Sequence, residues 1–140
     1  MLHAKPFGCS LSQCASSCYY RQYIIIHKSG EAVFNMNHFK NVTVVRKANS
    51  YFDGKVTSRT VLFASGERKT LGIMMPGTYR FDTAKKELME IQGGMVEVLL
   101  PGDTAWKTFR EGDSFEVPAQ AEFDIKAVSL TDYCCSYLDD

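Results

Sequence analysis

From Tyr51 onward, apolar and polar residues alternate along short segments that are separated by turn residues. In segments 114–117 and 122–127, an apolar side chain occupies every second position and a polar one lies between. This period of two is typical of antiparallel strands with one buried face and one exposed face. About nine such segments follow one another, at the spacing of 8–12 residues usual in all-β domains. The pattern predicts a β-sandwich or barrel.

Turn residues between these segments predict how the strands connect. Asp53-Gly54 comes just before a segment rich in β-branched residues, 56–63. Gly93-Gly94 separates the predicted strands 88–92 and 95–100. Pairs of this kind are common in two-residue hairpin turns. We therefore expect the strands on either side of Gly93-Gly94 to pair with each other.

The first 35 residues show neither alternation nor a helical stripe, and the pattern improves at Met36. A chain of 140 residues fits a single domain with a real core. We predict that domain over residues 36–140. Residues 1–35 are expected to be a disordered extension, or upstream sequence translated from a start codon set too early. They are Ser-rich and almost free of acidic residues, as a transit peptide is, but they contain a single arginine.

Composition excludes several functional classes. The chain carries 16 basic and 16 acidic residues, whereas a nucleic-acid-binding protein normally shows a basic excess. Its longest aliphatic runs have three residues, far fewer than a membrane helix needs. We therefore expect neither a nucleic-acid nor a membrane partner. The five cysteines form no regular framework, which favours a reducing compartment such as the cytoplasm.

A metal centre is also disfavoured by the distribution of potential ligands. Three of the five cysteines and two of the three histidines lie in residues 1–35, with a C-x4-C-x3-C spacing that lacks the second pair of a zinc site. His38 is the only histidine of residues 36–140. Cys134 and Cys135 are adjacent on a predicted strand, so their side chains should point to opposite faces.

Two segments have the spacing of the cupin motifs. The first runs from Gly77 through Glu87 to Gly94, and the second is the block 112–123. Metal-dependent cupins carry three histidines in these motifs, but here the corresponding positions hold Arg80, Phe81, Asp82 or Thr83, and Phe123. Because borderline metals favour imidazole ligands, we expect a small cupin-type (RmlC-like) β-barrel or jelly roll without the cupin metal.

An ordered set of short stretches resembles the small, single-domain cupin-type family of pyrimidine/purine nucleoside phosphorylases. The matching stretches are 51–56, 71–74, Gly77-Thr78-Tyr79 with Phe81, 98–101, Trp106, Gly112, 115–118, Glu122-Phe123, Tyr133, Cys135 and Tyr137-Leu138. They cover residues 51 to 138 in order, and the family's usual length is close to that of residues 36–140.

The resemblance implies a pentosyl transferase that phosphorolyses purine and pyrimidine nucleosides to free base and ribose 1-phosphate. Inorganic phosphate would be the co-substrate, and no cofactor is expected. Such a chain is expected to be a cytoplasmic homodimer, since small barrels often protect their edge strands by association.

Three charged residues are the predicted catalytic group. Arg68 follows Gly66-Glu67 at a position where the family also has arginine, and its guanidinium suits a phosphate. Glu87 and Glu122 stand at cupin-motif positions, where a carboxylate could bind ribose hydroxyls or stabilise positive charge near C1′. Arg80 and Lys55 are second choices for the phosphate. Each of these could instead be a solvated surface charge.

Aromatic residues could stack on the base, and stacking of this kind tolerates different bases. The candidates are Tyr79, Trp106, Phe123 and Tyr133, with Tyr137 as a further aromatic face. Any of them could instead belong to the core, and this alternative is stronger for Phe123 than for Trp106 or the tyrosines.

Two other functions remain open. A non-catalytic cupin could bind or sense a nucleoside or a sugar, since no obvious general base is present. A sugar isomerase or epimerase is less well supported, because such cupins normally need a metal or a catalytic histidine.

Overall fold

The computed structural model describes residues 24–26, 32–34 and 38–138. These residues form strands, turns and one short 3-10 turn, Phe52–Gly54. In chain order the strands are β1 (Ile24–Ile26), β2 (Ala32–Phe34), β3 (Thr43–Val44), β4 (Asn49–Tyr51), β5 (Val56–Leu62), β6 (Arg68–Met74), β7 (Gly77–Asp82), β8 (Lys86–Gly93), β9 (Met95–Leu99), β10 (Lys107–Arg110), β11 (Ser114–Val117), β12 (Glu122–Ala127) and β13 (Thr131–Leu138). No helix in the described part of the chain is long and apolar enough to span a membrane.

The chain divides into two units between Phe39 and Lys40. In the first unit, β1 and β2 pair as antiparallel strands, with Ile24 opposite Phe34. The rest of residues 1–35 lies outside the described residues, so the predicted nature of that segment stays a prediction. The second unit contains β3 to β13 and is described below.

The second unit consists of two antiparallel sheets. One has four strands in the order β10-β9-β12-β7. The other has seven, in the order β11-β8-β13-β6-β5-β3, with β4 also paired to β5. From β6 to β9 the chain crosses from one sheet to the other at every connection. The predicted all-β fold is confirmed, in the form of a two-sheet jelly roll rather than a closed barrel.

The two sheets share one hydrophobic core. Residues at alternate positions of β11 and β12 face it, as the sequence pattern predicted: Phe115 and Val117 of β11 are buried, and so are Phe123, Ile125 and Ala127 of β12. In β13, by contrast, the four consecutive residues 133–136 are buried. Full burial of a valine or isoleucine side chain stabilises the fold by about 1.5–3 kcal/mol. The alternation therefore determines which face of β11 and β12 turns inward.

The prediction that the strands on either side of Gly93-Gly94 pair as a hairpin is wrong. β8 pairs with β11 and β13, whereas β9 pairs with β10 and β12 in the other sheet. Gly94 has φ +86° and passes so close to the backbone of Leu130 that a Cβ would lie 2.3 Å from its carbonyl oxygen. The glycine pair thus makes a corner between sheets, which needs both a left-handed conformation and a close backbone approach.

Candidate functional site

A cavity of about 460 Å³ lies between the two sheets of the second unit. Its lining comes from the inner faces of both sheets and from the turn after β4. Polar side chains of the seven-stranded sheet form one side, and aromatic rings form much of the other. We call these the polar side and the aromatic side.

The polar side is built from neighbouring positions on adjacent strands. Ser58 of β5 lies opposite Gly72 of β6, and Gly72 lies opposite Tyr133 of β13. Two residues further along the same two strands, Thr70 of β6 lies opposite Cys135 of β13. Because alternate residues of a strand share a face, these rows place hydroxyl and thiol groups side by side on the cavity wall. Asn49 of β4 supports them by donating from Nδ2 to the Ser58 hydroxyl at 3.1 Å.

Gly72 is what allows Tyr133 to lie flat on the polar side. A Cβ at position 72 would lie 2.5 Å from Cζ of Tyr133 and 2.6 Å from the Thr57 carbonyl oxygen. Burial raises the pKa of the Tyr133 hydroxyl well above its usual value, while its hydrogen bond with Ser58 acts in the opposite direction. Tyr133 therefore stays a neutral phenol over the physiological pH range.

Glu87 of β8 brings a carboxylate into the cavity. It lies opposite Tyr137 of β13, and its Oε2 accepts a hydrogen bond from Sγ of Cys135 at 3.5 Å. Burial raises the pKa of Glu87, whereas the Cys135 hydrogen bond and the charge of Arg68 lower it in part. Burial also raises the pKa of Cys135, so its sulfur is a thiol that donates to Glu87.

Arg68 stands at the first position of β6, at the edge of the polar side. Its guanidinium carbon lies 4.2 Å from the centre of the Tyr137 ring, in a cation–π contact. Burial raises the pKa of Tyr137 to about 12, although its hydrogen bond with Thr70 acts to lower that pKa. Arg68 is exposed, so a guanidinium held beside Glu87 by an aromatic ring remains open to an anion.

The aromatic side is centred on Phe81 of β7 and Phe123 of β12. These two rings are stacked at 5.9 Å with an angle of 27° between their planes. Tyr51, the last residue of β4, and Phe52, the first residue of the turn after it, also line the cavity, and both contact Phe81. Planar apolar surfaces of this kind suit a nucleobase or another flat ring.

The structure brings some of the predicted site residues together at this cavity. Glu87, Phe123 and Tyr133 line it. Arg68 lies at its edge against the Tyr137 ring, and its charge lowers the pKa of Glu87. Arg80 also contributes to the lining, but its guanidinium is bound to the Asp124 carboxylate, through Nε at 2.7 Å and Nη2 at 2.9 Å. That pair lowers the pKa of Asp124.

Five predicted residues are not among those that line the cavity: Arg68, which lies at its edge, and Tyr79, Lys55, Trp106 and Glu122. Tyr79 is buried in the core, where its hydroxyl donates to the Met75 carbonyl oxygen at 2.8 Å. Lys55, Trp106 and Glu122 are exposed: the first in the turn before β5, the second in the loop before β10, the third at the start of β12. Their predicted roles stay predictions that this cavity does not support.

Sequence reasoning missed Ser58, Thr70, Tyr51 and Phe52. A signal for Ser58 was present, because alternation places it on the same face of β5 as Val56 and Thr60, and all three are buried. A buried hydroxyl at such a position needs a partner. No comparable signal marks Phe52, since its side chain reaches the cavity only through the turn that follows β4.

The cavity does not fit the metal of metal-dependent cupins. Within the residues that the structure describes, no three histidine, cysteine or acidic side chains gather closely enough to hold a metal ion. The carboxylate of Glu87 already accepts from Cys135 and lies in the field of the Arg68 cation.

Comparison with known proteins identifies relatives of the second unit. The family model of pyrimidine/purine nucleoside phosphorylase matches residues 46–137. A protein of Syntrophotalea carbinolica named pyrimidine/purine nucleoside phosphorylase is 64% identical over 103 residues, which are 74% of this chain and 99% of that protein.

Solved structures show the same fold. A protein of unknown function (DUF1255) from Acinetobacter has a TM-score of 0.70 at 39% identity, covering 72% of this chain and 98% of its own. An RmlC-like cupin from Shewanella frigidimarina has a TM-score of 0.54 at 14% identity, covering 65% of this chain and 81% of its own. The second confirms the predicted cupin fold and nothing more.

Proposed function

The chain belongs to the pyrimidine/purine nucleoside phosphorylase family, and we propose that it phosphorolyses purine and pyrimidine nucleosides to free base and ribose 1-phosphate. The observation that carries this proposal is the division of the cavity. Its aromatic side suits a base. Its polar side carries the Glu87 carboxylate and several hydroxyls for a ribose, and the Arg68 guanidinium lies over the Tyr137 ring at the edge of that side, where it suits a phosphate.

In this reaction, Arg68 binds and orients inorganic phosphate at the edge of the cavity. A phosphate oxygen forms a bond to C1′ of the ribose while the bond between C1′ and the base nitrogen breaks. The base leaves with the electron pair of that bond and takes up a proton from phosphate or water. The products are therefore the free base and ribose 1-phosphate.

Glu87 stabilises the transition state in this proposal. Positive charge develops at C1′ as the base departs, and a carboxylate in a partly buried site interacts with that charge more strongly than one in water. The neighbouring Cys135 thiol fixes one carboxylate oxygen by donating to it at 3.5 Å. The other oxygen is left for a ribose hydroxyl or for C1′.

Stacking accounts for the proposed breadth of base specificity. The aromatic side offers ring surface, which attracts purines and pyrimidines alike because every base has a π-face. A site that read the edges of the base would need fixed donors and acceptors on the aromatic side.

The test is to incubate the purified chain with uridine or adenosine, with and without phosphate, and to measure free base by chromatography. Phosphate-dependent release of base from both supports the proposal. Glu87→Gln, with Arg110→Ala as a surface control at the end of β10, distinguishes catalysis in this cavity from a contaminating enzyme. Saturable nucleoside binding without base release would instead support a non-catalytic cupin that senses nucleosides.

We also propose that the chain forms a homodimer through the outer face of the seven-stranded sheet. Leu71 and Ile73 of β6 are each 39% exposed there, and they line a shallow depression of about 340 Å³ together with Arg59 and Asp132. Opposite charges on one self-complementary patch suit a two-fold interface. A monomeric mass in light scattering would contradict this.

We also propose that the chain is located in the cytoplasm, on the evidence of its cysteines. Cys134 and Cys135 are both free thiols in the structure, on neighbouring positions of β13. Thiols of this kind persist in a reducing compartment. Cell fractionation with an antibody to the chain tests the location.

A further inference from the structure

The turn between β4 and β5 has a backbone conformation that side chains normally avoid. Three consecutive residues are left-handed: Phe52 at φ +53°, Asp53 at φ +55° and Gly54 at φ +84°. For residues that carry a Cβ this conformation is strained. Strain of this kind persists where the surrounding structure maintains it, and it is common at ligand sites.

The left-handed turn changes the direction of one aromatic side chain. Along an extended strand, Tyr51 and Phe52 would point to opposite faces. Tyr51 ends β4 in an extended conformation, at φ −130° and ψ 154°. The turn begins at Phe52, and as a result both neighbouring rings line the same cavity.

The ring of Phe52 is supported from behind by the core. Its centroid lies 4.9 Å from that of Tyr79 and 5.2 Å from that of Phe81. Tyr79 is buried, and its hydroxyl is anchored on the Met75 carbonyl oxygen. This packing holds Phe52 in one position although its backbone is strained.

Phe52 still has surface to offer a ligand. It is 41% exposed, whereas Phe123, on the same aromatic side, is only 5% exposed. Stacking needs an accessible ring face, and Phe123 already stacks on Phe81. Tyr51 is also accessible, at 46%, but its ring lies 6.2 Å from Phe81, whereas Phe52 is held more closely by both Tyr79 and Phe81. Phe52 is therefore the accessible ring with the firmest support, and the one best placed to receive a flat ligand.

We propose that Phe52 is the principal stacking platform for the base of the bound nucleoside and that it sets the preference between purines and pyrimidines. This inference rests on the proposed function. A purine has two fused rings and covers more of a phenyl face than a pyrimidine does, so purine nucleosides depend more strongly on this residue. The strained turn is retained because it directs the ring into the cavity.

The test compares Phe52→Leu with the wild type and with Phe52→Tyr. Leucine keeps apolar bulk but removes the ring, so the KM for adenosine should rise by about tenfold or more, the range usual for loss of one base-stacking contact. The KM for uridine should rise less, and the KM for phosphate should not change. Phe52→Tyr keeps the ring and should retain the wild-type KM for both nucleosides.

A matched control is Phe63→Leu, the same change in the loop after β5, outside the cavity lining. It should leave both nucleoside KM values as they are. Equal KM values for Phe52→Leu and the wild type would overturn the inference, and so would equal increases for adenosine, uridine and phosphate.

A binding measurement separates this inference from the proposed function and does not depend on the folding of Phe52→Leu. The wild-type chain is labelled with 4-fluorophenylalanine, and the Phe52 signal is identified as the fluorine resonance missing from labelled Phe52→Tyr. Adenosine without phosphate should shift that resonance. A shift in a chain that releases no base would contradict phosphorolysis and keep the platform, whereas an active chain with no shift would contradict the platform alone.

Discussion

Replacement of Arg68 by alanine should weaken phosphate binding much more than it weakens the fold. A hydrogen bond to a charged group contributes about 1.5–3 kcal/mol. Since about 1.4 kcal/mol corresponds to a factor of ten in affinity, the phosphate KM of Arg68→Ala should rise by roughly ten- to hundredfold. The KM for the nucleoside should change little, because the guanidinium lies at the edge of the polar side.

The cost to stability is smaller. In the free protein, Arg68 is exposed and its identified contact is with the Tyr137 ring at 4.2 Å. A cation–π contact at an exposed site is worth about 0.5–1 kcal/mol. For a domain of about 100 residues, that corresponds to a fall in Tm of a few degrees, roughly 4–8 °C per kcal/mol. A large increase in KM with a modest fall in Tm would therefore identify a binding role.

Steady-state kinetics with phosphate varied at saturating uridine give the phosphate KM, and a thermal melt gives the Tm. Arg68→Lys keeps the charge but loses the planar fork, so its KM should fall between those of the wild type and Arg68→Ala. Arg110→Ala removes an exposed arginine from the end of β10 and should change neither value. An unchanged phosphate KM in Arg68→Ala would remove Arg68 from the site.

Three further predictions concern the role of Glu87 at acidic pH, the packing of Gly72 against Tyr133 on the polar side, and residues 1–35. Because burial raises the pKa of Glu87 in the folded chain, stability from its protonated form is lost as pH rises through that pKa. At pH 7, Glu87→Gln should therefore unfold at no lower denaturant concentration than the wild type. It should nevertheless lose base release, and any residual rate should no longer fall at acidic pH as the wild-type rate does. A fall at acidic pH that persists in Glu87→Gln would show that another group titrates. Gly72→Ala places a Cβ 2.5 Å from Tyr133. It should lower the free energy of unfolding by denaturant by about 1–3 kcal/mol and raise the KM for the nucleoside. Gly93→Ala is the control, because its Cβ would make an ordinary contact at 3.6 Å, and its effects should be smaller. Deletion of residues 1–35 should leave the Tm and phosphorolysis intact, and loss of either would contradict the predicted division of the chain.

The strands of the second unit were predictable because their signals are local. Alternation in segments such as 122–127 depends only on neighbouring residues, and it placed Phe123 on an inner face correctly. Turn residues marked the ends of strands for the same reason. Arg68 and Glu87 were identified as candidates through the family resemblance, and the structure brings them close to each other.

The pairing of strands and the composition of the cavity depended on the tertiary structure. Gly93-Gly94 predicted a hairpin, but a glycine pair permits a sharp change of direction without specifying which strands will pair afterwards. Arg80 is a predicted phosphate ligand, and the sequence did not show that the register of β7 against β12 places it opposite Asp124, whose carboxylate binds its guanidinium. The direction of Phe52 likewise depends on a left-handed turn that the surrounding packing holds in place.

By itself, then, the sequence determined the class of fold, the inner face of most strands and the family. The tertiary structure decided which side chains from distant parts of the chain meet. The row that joins Ser58, Gly72 and Tyr133 connects three strands and more than 70 residues of chain. Such a row forms only when strands distant in the chain pair in one register, because a period of two specifies the face of a residue but not its neighbour on the next strand.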